Sequence, residues 1–199
     1  MTWAVRNGMI FFGVMVKNNH MATQTTAAPK AARNSKLREF FIEQLQDIYW
    51  AEQKLVKTLP KLSEASRSPE LRQAFDSHLT ETRNHVSRIE KAFALMKEKA
   101  EAKECPALKG IVEEGEEIID ETEDKTAQRD VGLIFAGQKA EHYEIATYGS
   151  LIEVAKVMGE PEVANLLQET LKEEKAADQK LTQLAESGIN REAAQELKA

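Results

Sequence analysis

The sequence predicts an all-α protein: a four-helix bundle made of two antiparallel hairpins, with a long crossover that carries a short extra helix. Three observations predict it. Glycines and prolines are few, 9 and 5 in 199 residues, and they fall between long runs with the apolar period of amphipathic helices. Each of the four long runs keeps one apolar stripe, yet each stripe turns polar or acidic at its middle. The first pair of runs also matches the second at a fixed offset of 92 residues.

Composition bounds the function. Charged residues make up 30% of the chain and the net charge is -6, which argues against nucleic-acid or anionic-membrane binding driven by global charge. One cysteine, Cys105, excludes an internal disulfide and a cysteine-based zinc knuckle, and fits a reducing, cytoplasmic compartment.

Residues 1–35 are expected to lie outside the fold, as a disordered tail or a mis-assigned extension with Met21 as the true start. The apolar run from Gly8 to Val16 is too short to span a bilayer, which needs roughly 20 residues. It resembles a signal-peptide core, but only Arg6 precedes it and no cleavage motif follows. The folded part is expected at 36–187, with a frayed polar tail over 188–199.

The first helix is predicted over Lys36–Ala65, with Phe41, Leu45, Ile48, Glu52, Leu55, Leu59 and Leu62 facing inward and Pro60 bending its end. Glu52 is the one charged residue in that register. Pro69, a favoured first helical residue, starts the second helix, which is predicted to run to about Ala100. Its inward positions are Leu71, Phe75, His78, Glu81 or Thr82, His85, Ile89 and Phe93. A lone histidine there reads as a hydrogen-bonded core residue; two flanking a carboxylate, opposite Glu52, read as ligands. The crossover, Glu101 to Asp124, holds a short amphipathic helix through Ile111, Val112, Ile118 and Ile119. Its acidic run Glu113 to Glu117 reads as a solvated face, and Cys105 as a semi-buried structural thiol.

The third helix, about Val131 to Met158, has the inward positions Ile134, Gln138, Glu141, Tyr148, Leu151 and Ala155, with Glu144 and Ile145 between. Glu141 and Glu144, three apart, leave the helix on one face. If that face is buried, two unpaired carboxylates cost several kcal/mol each or take up protons, and a cation is the natural compensation. Otherwise the face is solvated and the core runs through Ile145, Leu151 and Ile152. Gly159 stops this helix and Pro161 opens the fourth, expected to about Glu186 with Glu173, Glu174 and Asp178 at its centre.

The offset of 92 carries Glu52 onto Glu144, Leu59 onto Leu151, Pro69 onto Pro161, Leu79 onto Leu171 and Glu81 onto Glu173. Glu52 and Thr82 lie equally far from Arg67, as Glu144 and Glu174 do from Gly159. Each hairpin therefore carries its acids at one level, as in a bundle of the ferritin type.

The segments Asp47–Leu55, Ala74–Thr82, Glu141–Gly149 and Glu169–Asp178 closely resemble the YciE/YciF family of ferritin-like stress proteins. The resemblance covers roughly residues 36–187. It implies a ferritin-like bundle with a di-iron carboxylate site and a ferroxidase-type activity that consumes O₂ or peroxide. The metal candidates are Glu52, His78, Glu81, Glu141, Glu144, Glu173, Glu174 and Asp178, holding two iron ions or manganese in their place. Ferritin-like di-iron bundles supply one Glu from each of two helices and Glu-x-x-His from each of the others. Here the second helix reads His78-x-x-Glu81 with His85 one turn beyond, and the fourth has no histidine. That departure keeps a rival open: a non-catalytic helical stress protein whose polar core is structural. A manganese-catalase-like dismutation is a third reading. Tyr49 and Tyr148 are candidate hydrogen-bond donors to the ligands or plain core residues. A homodimer is expected, covered by Phe40, Trp50 and Val56.

Overall fold

The computed structural model describes residues 35–197, and among these all regular structure is helical. The expectations for residues 1–34 lie outside the described residues. The helices are α1 (Lys36–Ala65), α2 (Pro69–Met96), α3 (Pro106–Glu121), α4 (Ala127–Val157), α5 (Pro161–Leu184) and a short α6 (Asn190–Ala193). None is long and apolar enough to cross a membrane.

Local chemistry sets most boundaries. Ser35, Ser68 and Thr126 cap α1, α2 and α4 by accepting from the backbone N–H three residues on. Pro69, Pro106 and Pro161 open their helices, where the missing N–H costs nothing. Cys105 is buried and caps α3, its sulfur accepting from Leu108 N at 3.4 Å. Gly159, at φ 73, makes the left-handed turn between α4 and α5. Pro60 sits inside α1, which continues five residues beyond it.

Three boundaries differ from the sequence expectation. α2 ends at Met96, not near Ala100, because Lys97 adopts the left-handed conformation at φ 59 and Glu98 N donates back to Phe93 O. α4 starts four residues earlier than Val131, at the Thr126 cap. Beyond Gly188 the chain kinks and goes on as α6 instead of fraying. Glu196 accepts from Ala127 N (2.6 Å) and Gln128 N (2.8 Å), so this last segment caps the start of α4.

The four long helices form two hairpins: α1 packs on α2 and α4 on α5, and the hairpins meet through α2 with α5 and α1 with α4. The crossover helix α3 lies over α4 and touches α1. Its approach is close: a Cβ added at Gly132 of α4 would stand 2.4 Å from Ile118 Cγ2. Arg129 then fastens the end of α3, donating to Ile119 O (2.9 Å), Thr122 Oγ1 (3.0 Å) and Asp124 Oδ1 (2.6 Å).

Two buried charges tie one hairpin to the other. Asp130, in the first turn of α4, accepts from the backbone of Arg67 (2.7 Å) and Ser68 (2.8 Å) in the α1–α2 turn. Arg38, in the first turn of α1, donates to Met96 O at 2.5 Å and Glu98 at 3.0 Å and lies 3.8 Å from Glu160 beyond α4.

The inward residues of α1 are all buried, as are those of α2 except Glu81, where Thr82 takes the core position. Phe41, Leu45, Phe93 and Leu167 are in the apolar core at one end, and Leu59, Leu62, Leu71 and Leu181 at the other. Between them the core is polar. On the outside, Phe40 is exposed, and Trp50 and Val56 are half-buried.

Candidate metal centre

The polar layer arises from register. His78 and His85 are seven residues apart on α2, two helical turns, so they share a face, with ring centroids 6.0 Å apart. Glu52 of α1, Glu141 and Glu144 of α4 and Glu174 of α5 reach the same layer. Glu52, His85 and Glu174 are fully buried, and none of the others is more than 6% exposed.

These side chains form two groups. His78, Glu141, Glu144 and Glu174 each offer one ligand atom, all within 4.8 Å of one another, and so do Glu52, His85 and Glu174. Glu174 belongs to both, the position of a bridging carboxylate. His85 Nδ1 lies 3.0 Å from Glu174 Oε1 and 3.4 Å from Glu52 Oε2. His78 Nε2 lies 3.2 Å from Glu141 Oε1 and 3.6 Å from Glu174 Oε2.

Each histidine is held from behind by a carboxylate nearer the rim. Glu173 Oε2 stands 2.8 Å from His85 Nε2, and Glu81 Oε2 stands 3.3 Å from His78 Nδ1. A neutral histidine that donates its outer N–H this way turns the lone pair of its inner nitrogen toward the cluster, as metal-ligating histidines do. Glu173 is itself fixed by Arg88, whose Nη2 donates to Oε1 at 2.9 Å. Tyr148 donates to Glu52 Oε1, which leaves Oε2 as the inward atom.

Among the described residues, seven buried side-chain atoms make no well-formed hydrogen bond, and all seven are here: Glu141 Oε2, both oxygens of Glu144, Glu174 Oε2, and the trio His85 Nδ1, Glu52 Oε2 and Glu174 Oε1, which meet one another only as ion pairs. Such atoms normally find partners, since an unsatisfied buried polar group costs about 1–3 kcal/mol. Their convergence could hold metal ions, and mixed carboxylate and imidazole donors suit divalent first-row metals.

Protonation carries the load without metal. Burial raises the pKa of Glu144 well above the carboxylate range, and Glu174, Glu52 and Glu141 add to it. Burial does the same for Glu141, against the pull of His78. Burial alone lowers the imidazoles, but the facing carboxylates outweigh it. Glu141, Glu81 and Glu174 hold His78 at about 9, and Glu174 and Glu52 hold His85 at about 11.

Of the eight candidates from sequence, the structure brings together Glu52, His78, Glu141, Glu144 and Glu174. Glu81 and Glu173 stand at the rim behind the histidines. Asp178 is outside the cluster, beside Gln138 (3.3 Å) and His142 (3.3 Å). His85, which the second helix's pattern reads as a ligand alongside His78 but which is not among the eight, is central. Its signal was its spacing of seven from His78. Of the two tyrosines Tyr148 reaches the cluster, whereas Tyr49 donates to Glu90 at 2.8 Å.

The family described as "Domain of unknown function (DUF892)" matches residues 36–194. Protein YciF of Escherichia coli (strain K12) is 44% identical over 158 residues, which cover 79% of this chain and 95% of that one. The crystal structure of the E. coli stress protein YciF aligns with a TM-score of 0.75 at 42% identity, over 79% of this chain and 99% of that chain. YcfI from Rhodopseudomonas palustris aligns with a TM-score of 0.72 at 36% identity, over 74% of this chain and 94% of its own. By family match and identity together, the chain belongs to the DUF892 family and is a relative of YciF.

Proposed function

We propose that the protein is a ferritin-like metal-binding protein with a two-metal carboxylate–histidine centre, acting as a ferroxidase-type oxidoreductase in a stress response. The observation that carries this reading is the convergence of seven buried atoms without a well-formed hydrogen bond on two groups joined by Glu174. The stress role is an extension from YciF, which is described as a stress protein.

In this reading His78, Glu141, Glu144 and Glu174 would hold one iron, and Glu52 and His85, with Glu174, would hold the other. Two Fe(II) ions held there would supply one electron each to O₂ or peroxide and become Fe(III). The chain's own residues set the conditions. Glu81 and Glu173 fix the imidazole orientations, Arg88 fixes Glu173, and Tyr148 restricts Glu52 to a single ligating oxygen. The apolar residues at both ends of the layer close it along the bundle axis and strengthen the charge interactions within it.

A second reading has its own observation. The offset of 92 that pairs Glu52 with Glu144 pairs Glu174 with Thr82 and His85 with Ala177. Thr82 donates to His78 O at 2.8 Å, so a second bridging carboxylate is missing, and Ala177 offers no ligand. On this reading the centre is structural and the protein a non-catalytic helical one. Metal analysis of anaerobically purified protein, followed by Fe(II)-dependent oxygen uptake, separates the two. About two metals per chain with Fe(II)-driven uptake supports the ferroxidase. Bound metal with no uptake supports the structural centre. Absence of bound metal sinks both metal readings.

A further inference from the structure

The seam between α2 and α5 holds a cavity of about 280 Å³ that runs from the surface to His78 and Glu141. At about 30 Å³ per water, that is room for a hydrated ion. Its acids descend in exposure: Glu70 is exposed, Glu81 half-buried and Glu141 4% exposed. Among the described residues, Lys180 is the one lysine or arginine on the lining, and His78 carries a second positive charge below about pH 9. Glu141 Oε2 has no hydrogen-bond partner. On α5 the wall includes Ala176 and Ala177 beside Lys180 and Leu181, and Ala177 stands where the offset of 92 would place the counterpart of His85. The small side chain leaves open what a ligand at this position would fill.

The same seam opens a second time near Ala94 and Leu95, but that cleft touches no member of the cluster. Between the two, Arg88 bridges to Glu169 (3.3 Å) and Glu173, and Glu173 meets His85. That chain of ion pairs shuts the seam above the cluster and leaves the acidic cleft below it open.

The geometry points to this cleft as the path by which a divalent cation reaches the buried centre, with Glu81 as its first ligand at the mouth and Ala177 as the gap that keeps the path open. The inference rests on the proposed metal centre. Acidic walls of low dielectric concentrate cations and speed their association, an effect that salt weakens. Glu81 also holds His78 Nδ1, so an ion taken up by Glu81 is already beside the first imidazole.

The test is stopped-flow uptake of Co(II) by the full-length apoprotein, read from its visible absorption, with equilibrium occupancy measured on the same samples. Ala177→Leu should slow association by about tenfold or more, since a plugged cleft must open first, and leave final occupancy unchanged. Glu81→Gln, which keeps volume, should slow it severalfold and flatten its salt dependence. Ala94→Leu, in the other cleft of the same seam, should match wild type. Wild-type rates in both Ala177→Leu and Glu81→Gln, with normal occupancy, would overturn the path but leave the centre standing. No Co(II) uptake by wild type would remove the centre and the path together. Should Ala177→Leu misfold by circular dichroism, Glu81→Gln decides alone.

Discussion

Replacing Glu144 with glutamine tests the centre most directly. The side chain is 1% exposed, both oxygens lack partners, and burial with three neighbouring carboxylates raises its pKa well above the usual range. Each unit of that elevation disfavours the ionised native state by about 1.4 kcal/mol once the pH exceeds it. Glutamine has nearly the same volume, carries no charge, and its amide can donate to the neighbouring carboxylates. The apoprotein should therefore gain about 1–3 kcal/mol at pH 8, since the cost of keeping a clustered buried carboxyl, either protonated or ionised, is removed and an unpartnered group gains a bond. For a domain of this size that is roughly 2–12 °C in melting temperature. Metal should act in the opposite direction. A cation at 100-fold its dissociation constant stabilises wild type by about 2.7 kcal/mol, and the variant should lose most of that increment. The assay is thermal melting of both proteins, metal-free and with Mn(II). A drop in apoprotein melting temperature with no metal dependence in wild type would refute the reasoning and make Glu144 a structural hydrogen-bonding residue.

Three more outcomes follow from particular residues. His78 and His85, raised to about 9 and about 11, contribute stability that is full below their unfolded value near 6.5 and lost as pH rises through the folded values. Glu141 and Glu144, raised by burial, also bind more protons folded than unfolded above about pH 4.5. Apoprotein stability should therefore fall from about pH 5 to 9 in urea titrations, while Mn(II) affinity rises over the same range; a stability that climbs with pH would contradict this. Asp130→Asn turns an amide N–H toward one of two backbone donors, so it should cost about 1–3 kcal/mol equally with and without metal; chemical denaturation checks it. Gly132→Ala gains up to about 1 kcal/mol in helix propensity but meets Ile118, an overlap worth about 1–3 kcal/mol, so a net loss with faster amide exchange in α3 is expected.

The long helices were legible because their punctuation is local. Ser68–Pro69 and Gly159 with Pro161 mark the hairpin turns without reference to the rest of the chain. The end of α2 was not legible, because Lys97 takes a left-handed turn that glycine would have announced. Nor was α6: what docks that segment is Glu196 on the α4 amides and Arg67 on Glu192 (2.6 Å), contacts that exist only after folding. At the centre, the inward register located Glu52, His78, His85 and Glu141, with Glu144 in the turn between inward positions. It left Glu81 against Thr82 and Glu173 against Glu174 open, because adjacent residues on a helix differ by about 100° and a wide stripe tolerates either. The offset of 92 contained the answer in part. Glu81 and Glu173 are counterparts in the two halves, and both ended behind a histidine. Asp178 follows Glu174 by four residues and so falls on the predicted stripe, yet α5 turns it toward Gln138 and His142 on α4.

Arg38 and Asp130 are also 92 apart, and so are Ser68 and Glu160, the places that they reach. The two halves thus clasp each other reciprocally: the start of each leading helix grips the opposite half's turn, at opposite ends of the molecule. One clasp is an ion pair and the other a carboxylate on backbone amides, so the chemistry diverged while the arrangement was kept. Mechanically the pair behaves like two pins through a sliding joint. A shift of one hairpin along the other by a single residue, about 1.5 Å, stretches one pin and crowds the other. Apolar stripes slide past one another at modest cost, but six side chains that must face their partners across one polar layer, each at its own height, do not tolerate it. The clasps hold those heights, far from the layer where they matter.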